Sequence, residues 1–198
     1  MLTRKQKDKI YVATTLCLKE TGLEKMTLKD VANRSGINEK KLKEEYPDGN
    51  SLMREMMSRG IDHLTGLLEK SLNARGKADV KISRFVKSLL EDYENHAPLY
   101  KLVSLNFESL NKDSLLLRDL LTQDQIDRYR RNTMIIGRII ADGQSDGIFR
   151  KADPLECAFF LRGLINSAIL YWSATKYEGR LDDFADRVMK ILLTGIYK

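Results

Sequence analysis

Apolar residues recur along this chain mostly at steps of three and four, the spacing that lines one face of an α-helix rather than the alternate positions of a strand. Ile10, Ala13, Thr14, Cys17 and Leu18 make the first such face, and Gly22 then offers a stop. Thr27 precedes Leu28, Val31 and Ala32, with Asp30 three residues on, the arrangement of a capping box opening a second helix that runs to about Arg34. Ser35-Gly36-Ile37 follows as a tight turn, in which the glycine accepts a positive φ and the isoleucine turns back into the core. Asn38 caps a third helix, which carries Leu42 and Tyr46 inward and ends at Pro47-Asp48-Gly49.

A long fourth helix, capped by Asn50 or Ser51, has Leu52, Met56, Ile61, Leu64, Leu68 and Leu72 as its stripe and ends near residues 73–76. Beyond it the pattern predicts helices over 79–96, 98–110, 114–144 with a break near Thr122, 154–177 and 181–196. The fold expected is all-α, about nine helices, with a three-helix head over residues 1–50 and a helical-bundle body over 51–198. The sharpest boundary in the body is Asp153-Pro154-Leu155-Glu156, where Asp153 caps, proline suits the first helical position and Glu156 completes a capping box.

Residues 157–172 are apolar nearly all round, so this helix must be buried on more than one side. The last helix covers one face. A second copy of the chain, related by a two-fold axis, covers another through Phe159, Leu161, Ile165, Ile169, Phe184, Val188 and Leu192. Burial of the same helix inside a monomer satisfies the pattern as well.

Composition narrows the function. With 42% hydrophobic and 31% charged residues in 198, the chain is neither disordered nor fibrous. Residues 1–43 hold eleven Lys and Arg against five Asp and Glu, an excess equal to the +6 of the whole chain, so the head is where a polyanion would bind. The first nine residues lack the apolar run of a signal peptide, and residues 157–172 are too short and, with Arg162 and Asn166, too polar to span a membrane. Cys17 and Cys157 are expected to be core thiols in a reducing cytoplasm. His63 and His96 are the only histidines and neither follows a glutamate by three residues, so no metal site or other cofactor is expected. No phosphate-binding glycine loop, zinc-protease motif or nucleophile elbow occurs, so catalysis has no support.

A short helix, a glycine turn and a second short helix present the second helix to the major groove of DNA. Residues 4–56 resemble the N-terminal domain of the TetR family of transcriptional regulators. The resemblance lies in Ile10, Ala13 and Gly22, in the run from Thr27-Leu28-Lys29-Asp30 through Val31-Ala32-Asn33-Arg34 to Ser35-Gly36-Ile37, and in Leu42, Tyr46 and Leu52. Gly143 to Phe149 followed by Asp153-Pro154 is similar to the linker before the penultimate helix of many members. The resemblance implies a homodimer joined by the last two helices, an effector pocket in the body, and a DNA-bound state that the ligand disfavours.

Carried over, the DNA-binding set is Arg4, Lys5, Thr27, Lys29, Asn38, Glu39, Lys40, Lys41, Lys43 and Tyr46. Lys40 or Lys41 can donate to guanine and Glu39 can accept from cytosine. This chain departs from the family pattern at Lys43, commonly a tyrosine, at Gly49, commonly a lysine, and at Glu44-Glu45, where polar residues or histidine are usual. The charges of the third helix cancel, so it is not a simple phosphate-binding helix. Leu64, Leu68, Phe85, Tyr93, Phe107, Tyr129, Asn166 and Trp172 are the expected pocket, apolar with a few polar contacts. The function expected is a cytoplasmic dimer on a double-stranded operator, a repressor released by a small apolar or amphipathic effector, with helix four as the lever. The alternative is the same fold reading a protein or a ligand without binding DNA.

Overall fold

The computed structural model describes residues 1–22, 25–108, 122–175 and 177–196, the side chains of 95–108 and 196 excepted. These form eight α-helices: α1 Arg4–Thr21, α2 Leu28–Ser35, α3 Glu39–Glu45, α4 Gly49–Leu72, α5 Ala78–Glu108, α6 Gln123–Ser145, α7 Pro154–Ala174 and α8 Ala185–Ile196. A 3₁₀ turn, Leu181–Phe184, precedes α8, where the apolar pattern alone predicts a single helix from 181. The chain divides into two compact units, Met1–Gly60 with His96–Thr122 and Ile61–Asn95 with Gln123–Lys198.

In the first unit the local chemistry of the helix ends sets the elements. Thr3 and Gln6 form a reciprocal capping box at α1, as do Thr27 and Asp30 at α2. Gly36 ends α2 at φ 67°, a left-handed conformation closed to most side chains, and Ile37 N–H donates to Ala32 O at 3.2 Å. Asn38 Oδ1 accepts from Lys40 N at 2.9 Å and Lys41 N at 3.4 Å. At α4 the cap is Asp48 rather than Asn50 or Ser51. Asp48 Oδ1 accepts from Ser51 N at 2.7 Å and Ser51 Oγ accepts from Asp48 N at 3.3 Å, so a carboxylate sits at the positive end of the helix. Ile10, Ala13, Val31, Ala32, Ile37, Leu42, Tyr46 and Leu52 share one core, which runs on to Met57.

Over Ala78–Glu108 one helix replaces the two expected on either side of Pro98. Proline's fixed φ suits a helix and removes only one hydrogen bond, so a 31-residue helix can carry one. The junction of the helices expected over 98–110 and 114–144 falls in residues 109–121, outside the described residues. In the second unit Asp153 caps α7 as expected, accepting from Leu155 N and Glu156 N at 2.7 and 3.1 Å, but among the described residues Glu156 returns no bond.

The seven residues expected at a dimer interface separate into two groups. Leu161, Ile165, Phe184, Val188 and Leu192 are at most 6% exposed in the single chain and close its own core, because α7 packs on α6 and α8 with the same stripe that a partner would need. Phe159 is 56% exposed, and Ile169 is half-buried. The apolar residues left open on α7 and α8 are Leu155, Phe159, Phe160, Leu170, Tyr171 and Ile191. By length and composition α7 could cross a membrane, yet it carries Arg162 and packs within the unit.

After α6 the chain folds back on itself. Ile148 and Phe149 N–H both donate to Gly143 O, at 2.8 and 3.1 Å, and the buried Phe149 ring lies against the glycine. A Cβ on Gly143 would sit 2.4 and 2.5 Å from two ring carbons and 2.7 Å from Ala78 Cβ. Glycine to alanine within a helix ordinarily stabilises by about 1 kcal/mol. Gly143→Ala is expected instead to destabilise by about 1–3 kcal/mol through overpacking. Gly66→Ala, on α4 with nothing within 4 Å, should stabilise. Chemical denaturation of both variants checks the contrast of sign.

Candidate nucleic-acid interface

The turn at Gly36 fixes how α3 leaves α2. Its buried residue, Leu42, locks one side, so Asn38, Lys40, Lys43 and Glu44 stand on the exposed side, with Glu39 and Lys41 partly buried. Tyr46 does not join them. It is 5% exposed and lies in the core one turn beyond Leu42, so it presents no ring to DNA, and burial pushes its hydroxyl pKa up. The sequence assigned Tyr46 two roles, and only the inward one fits the geometry.

The cancelled charges of α3 are not equivalent in space. Glu45 is drawn back to α1, where it pairs with Lys7 at 2.6 Å and accepts from Leu2 N at 3.1 Å. Lys41 Nζ donates to Gln6 Oε1 at 3.3 Å, also on α1. Lys43 pairs with Glu39 one turn before it, at 2.7 Å. The side chain of Lys40 forms no hydrogen bond or ion pair among the described residues, and neither do those of the exposed Arg4, Lys5, Lys9 and Lys29. The unpaired charges left on α3, Lys40 and Glu44, still cancel, so the excess of exposed cations in this unit lies on α1 and α2, at Arg4, Lys5, Lys9 and Lys29.

Thr27 is exposed, but its hydroxyl donates to Asp30 Oδ2 at 2.6 Å and accepts from Asp30 N at 3.2 Å. Its proton is committed to the cap, and Asp30's carboxyl is held below its ordinary pKa by that bond. Arg59 steadies the unit from α4, reaching Asp8 and Glu55 at 3.1 Å each and lying over the Tyr11 ring. A cleft of about 520 Å³ bordered by Lys5, Lys9, Val12, Leu16 and Arg34 lies between α1 and α2, with Val12 57% exposed. Periodicity does not reveal it, because Val12 and Leu16 fall off the buried stripe of α1.

Of the expected pocket residues, Leu68, Phe85 and Tyr93 are core residues of the second unit, at 0, 2 and 3% exposure. Leu64, Tyr129, Asn166 and Trp172 are partly buried, with Trp172 Nε1 donating to Gly179 O at 3.0 Å. The side chain of Phe107 lies outside the described residues. The second unit also holds a group that sequence reasoning passed over, Arg162, whose guanidinium lies 3.8 Å from the centre of the Tyr129 ring. Its signal was present: it is the one charged residue in 157–172.

No family model and no curated protein matches the sequence. Solved structures do match over nearly the whole chain. The TetR-family transcriptional regulator PfmR from Thermus thermophilus is 18% identical at a TM-score of 0.74, with 96% of this chain and 99% of that one covered. The fatty acid degradation regulator FadR from Bacillus halodurans is 13% identical at 0.80, covering 98% and 97%. The transcriptional regulator FadR from Bacillus subtilis, solved with stearoyl-CoA, is 18% identical at 0.74, covering 96% and 100%. This chain thus has the all-α fold of the TetR-family regulators.

The Lys7–Glu45 pair makes a prediction about acid stability. The Lys7 hydrogen bond, helped by Leu2 N–H, holds the Glu45 carboxyl below its ordinary pKa. The folded state then binds that proton less readily than the unfolded one. The stabilisation is present above the unfolded carboxylate pKa of about 4.3 and is lost as pH falls through the depressed value. Wild type is expected to melt above Glu45→Gln at neutral pH, with the gap closing as pH drops from about 5 to about 3. Parallel melting curves followed by circular dichroism would refute a role for the pair.

Proposed function

We propose that this protein is a TetR-type DNA-binding transcriptional regulator acting as a cytoplasmic homodimer, a repressor released by a small apolar or amphipathic effector. The observation that carries this is the glycine-hinged α2–α3 pair, held by a continuous core, with Asn38, Lys40 and Lys43 exposed on α3, and with Arg4, Lys5, Lys9 and Lys29 exposed on α1 and α2 of the same unit. Lys40 is suited to a guanine edge, and the cations of α1 and α2 to phosphates. The solved structures support the same reading through their fold, and the Bacillus subtilis regulator does so for ligand responsiveness through its stearoyl-CoA. Release requires that the effector bind the state with low DNA affinity more tightly than the DNA-bound state.

Fluorescence anisotropy with DNA from upstream of the gene tests the proposal. Binding should weaken by about a thousandfold between roughly 50 and 200 mM salt, as phosphate contacts release counterions. Lys5→Ala should weaken all sequences alike and reduce the salt slope by about 1, whereas Lys40→Ala should relax preference at one base pair by about 1–3 kcal/mol. A folded dimer without salt-dependent binding to any such fragment would leave the module that reads no DNA.

Homodimerisation rests on the open side of α7 and α8. Phe159, Phe160, Leu170, Tyr171 and Ile191 are each more than half exposed in the single chain, an apolar surface of the kind that marks an interface. Phe159→Glu combined with Leu170→Glu is expected to give a folded monomer by light scattering, with operator affinity reduced by about a hundredfold or more because two half-sites are no longer gripped together. A variant that stays dimeric would move the interface elsewhere.

A further inference from the structure

Arg162 lies on α7, partly buried, facing α6. Its Nη1 donates to Thr133 Oγ1, whose own proton goes to Tyr129 O at 3.4 Å, and its guanidinium covers the face of Tyr129. No carboxylate compensates the charge among the described residues. Desolvation alone pushes its pKa down to about 10, the direction opposite to the effect of an acidic partner. A hydroxyl and an aromatic face are weak substitutes for a counter-ion in such a place. The Nε–Nη2 edge of the guanidinium, two parallel N–H groups, is left without a partner among the described residues.

Asn132, one residue before Thr133, is 3% exposed, and Thr65 Oγ1, which donates to Ile61 O at 2.8 Å, lies 2.9 Å from its side-chain amide. Tyr129, Asn132 and Thr133 are spaced to fall on one side of α6. The same two helices bury Ile136, Ala158 and Ile165 within one turn of these groups, so the surroundings are apolar.

We propose that Arg162 holds the carboxylate of a small acid with an apolar tail. The Nε–Nη2 edge matches the two oxygens of a carboxylate. One guanidinium balances one negative charge, which favours a carboxylate over a phosphate monoester carrying about two. Naming this acid as the effector rests on the regulator reading above, whereas the site itself does not.

Isothermal titration of the full-length protein with decanoate, decan-1-ol and decyl phosphate tests the site. Decanoate should bind roughly ten- to a hundredfold more tightly than decanol. Arg162→Met should abolish that preference while leaving decanol affinity within about twofold, and Arg162→Lys, a point charge without the planar edge, should keep part of it. Thermal melting confirms that each variant is folded, and Arg162→Gln replaces the methionine variant if that one is not.

Equal binding of decanoate and decanol, binding of neither, or an unchanged preference in folded Arg162→Met would overturn the site. Tighter binding of decyl phosphate would overturn the carboxylate assignment. Operator binding is measured on the same preparations. Protein that binds DNA but not decanoate defeats this inference alone, and protein that binds decanoate but no DNA defeats the regulator reading alone.

Discussion

The reversal of the chain at Gly36 constrains everything else in the head. At φ 67° the glycine lets its own N–H and that of Ile37 both end on the carbonyl of Ala32, which closes α2 within two residues. Ser35 Oγ accepts from the same Ile37 N–H at 3.3 Å, and Ile37 then buries its side chain with Val31, Ala32 and Leu42. The turn and the core therefore enforce each other. A side chain at position 36 would meet no neighbour, so what makes glycine necessary there is the backbone conformation rather than space. With α3 held at its N-terminus by the reversal and by Asn38, and anchored by the buried Leu42, the exposed positions of a seven-residue helix become a defined surface instead of a fraying end.

Tertiary pairing sorts the charges of that surface. Solvent-exposed ion pairs contribute little to stability, about 1 kcal/mol or less. Their effect here is to decide which charges remain outward. Glu45 and Lys41 turn toward α1, and Lys43 is shared with Glu39, so Lys40 and Glu44 are the charges α3 leaves outward, and the free cations at the start of α1 supply the positive excess. A sum of charges over residues 39–45 does not reveal which charges are withdrawn, because the partner of Glu45 is 38 positions away in sequence.

Features that one turn of chain determines were legible in the sequence. The Thr27–Asp30 box, the Gly36 turn, the Asn38 cap and the Asp153 start all follow from side chains that satisfy backbone groups within three residues. Features that depend on which surface covers which were not. The periodicity of residues 157–172 reports that several sides are apolar, but the assignment of sides to α6, α8 or a second copy depends on packing, and Leu161 and Ile165 went to the chain's own core. Asp48, Asn50 and Ser51 are each competent caps by type, and only the folded backbone selects the aspartate. Tyr46 could belong to core or surface by composition, and its spacing of four from Leu42 decided for the core.

Two groups of residues are left unsatisfied by the single chain, and they differ in kind. The open apolar side of α7 and α8 is unsatisfied because water contacts it, a condition that any apolar surface of matching shape relieves. Arg162 is unsatisfied because water has been partly removed, and only an anion of suitable geometry relieves that. A methionine or leucine would occupy a similar place without the desolvation cost, so packing gives no reason for a guanidinium there. The fold tolerates the charge by stacking it on Tyr129 and bonding it to Thr133, which orients its free edge while leaving its charge uncompensated among the described residues. Orientation without compensation is what a preorganised anion site requires: the position of the donor is settled before the ligand arrives, and the neutralising charge is left for the ligand to supply.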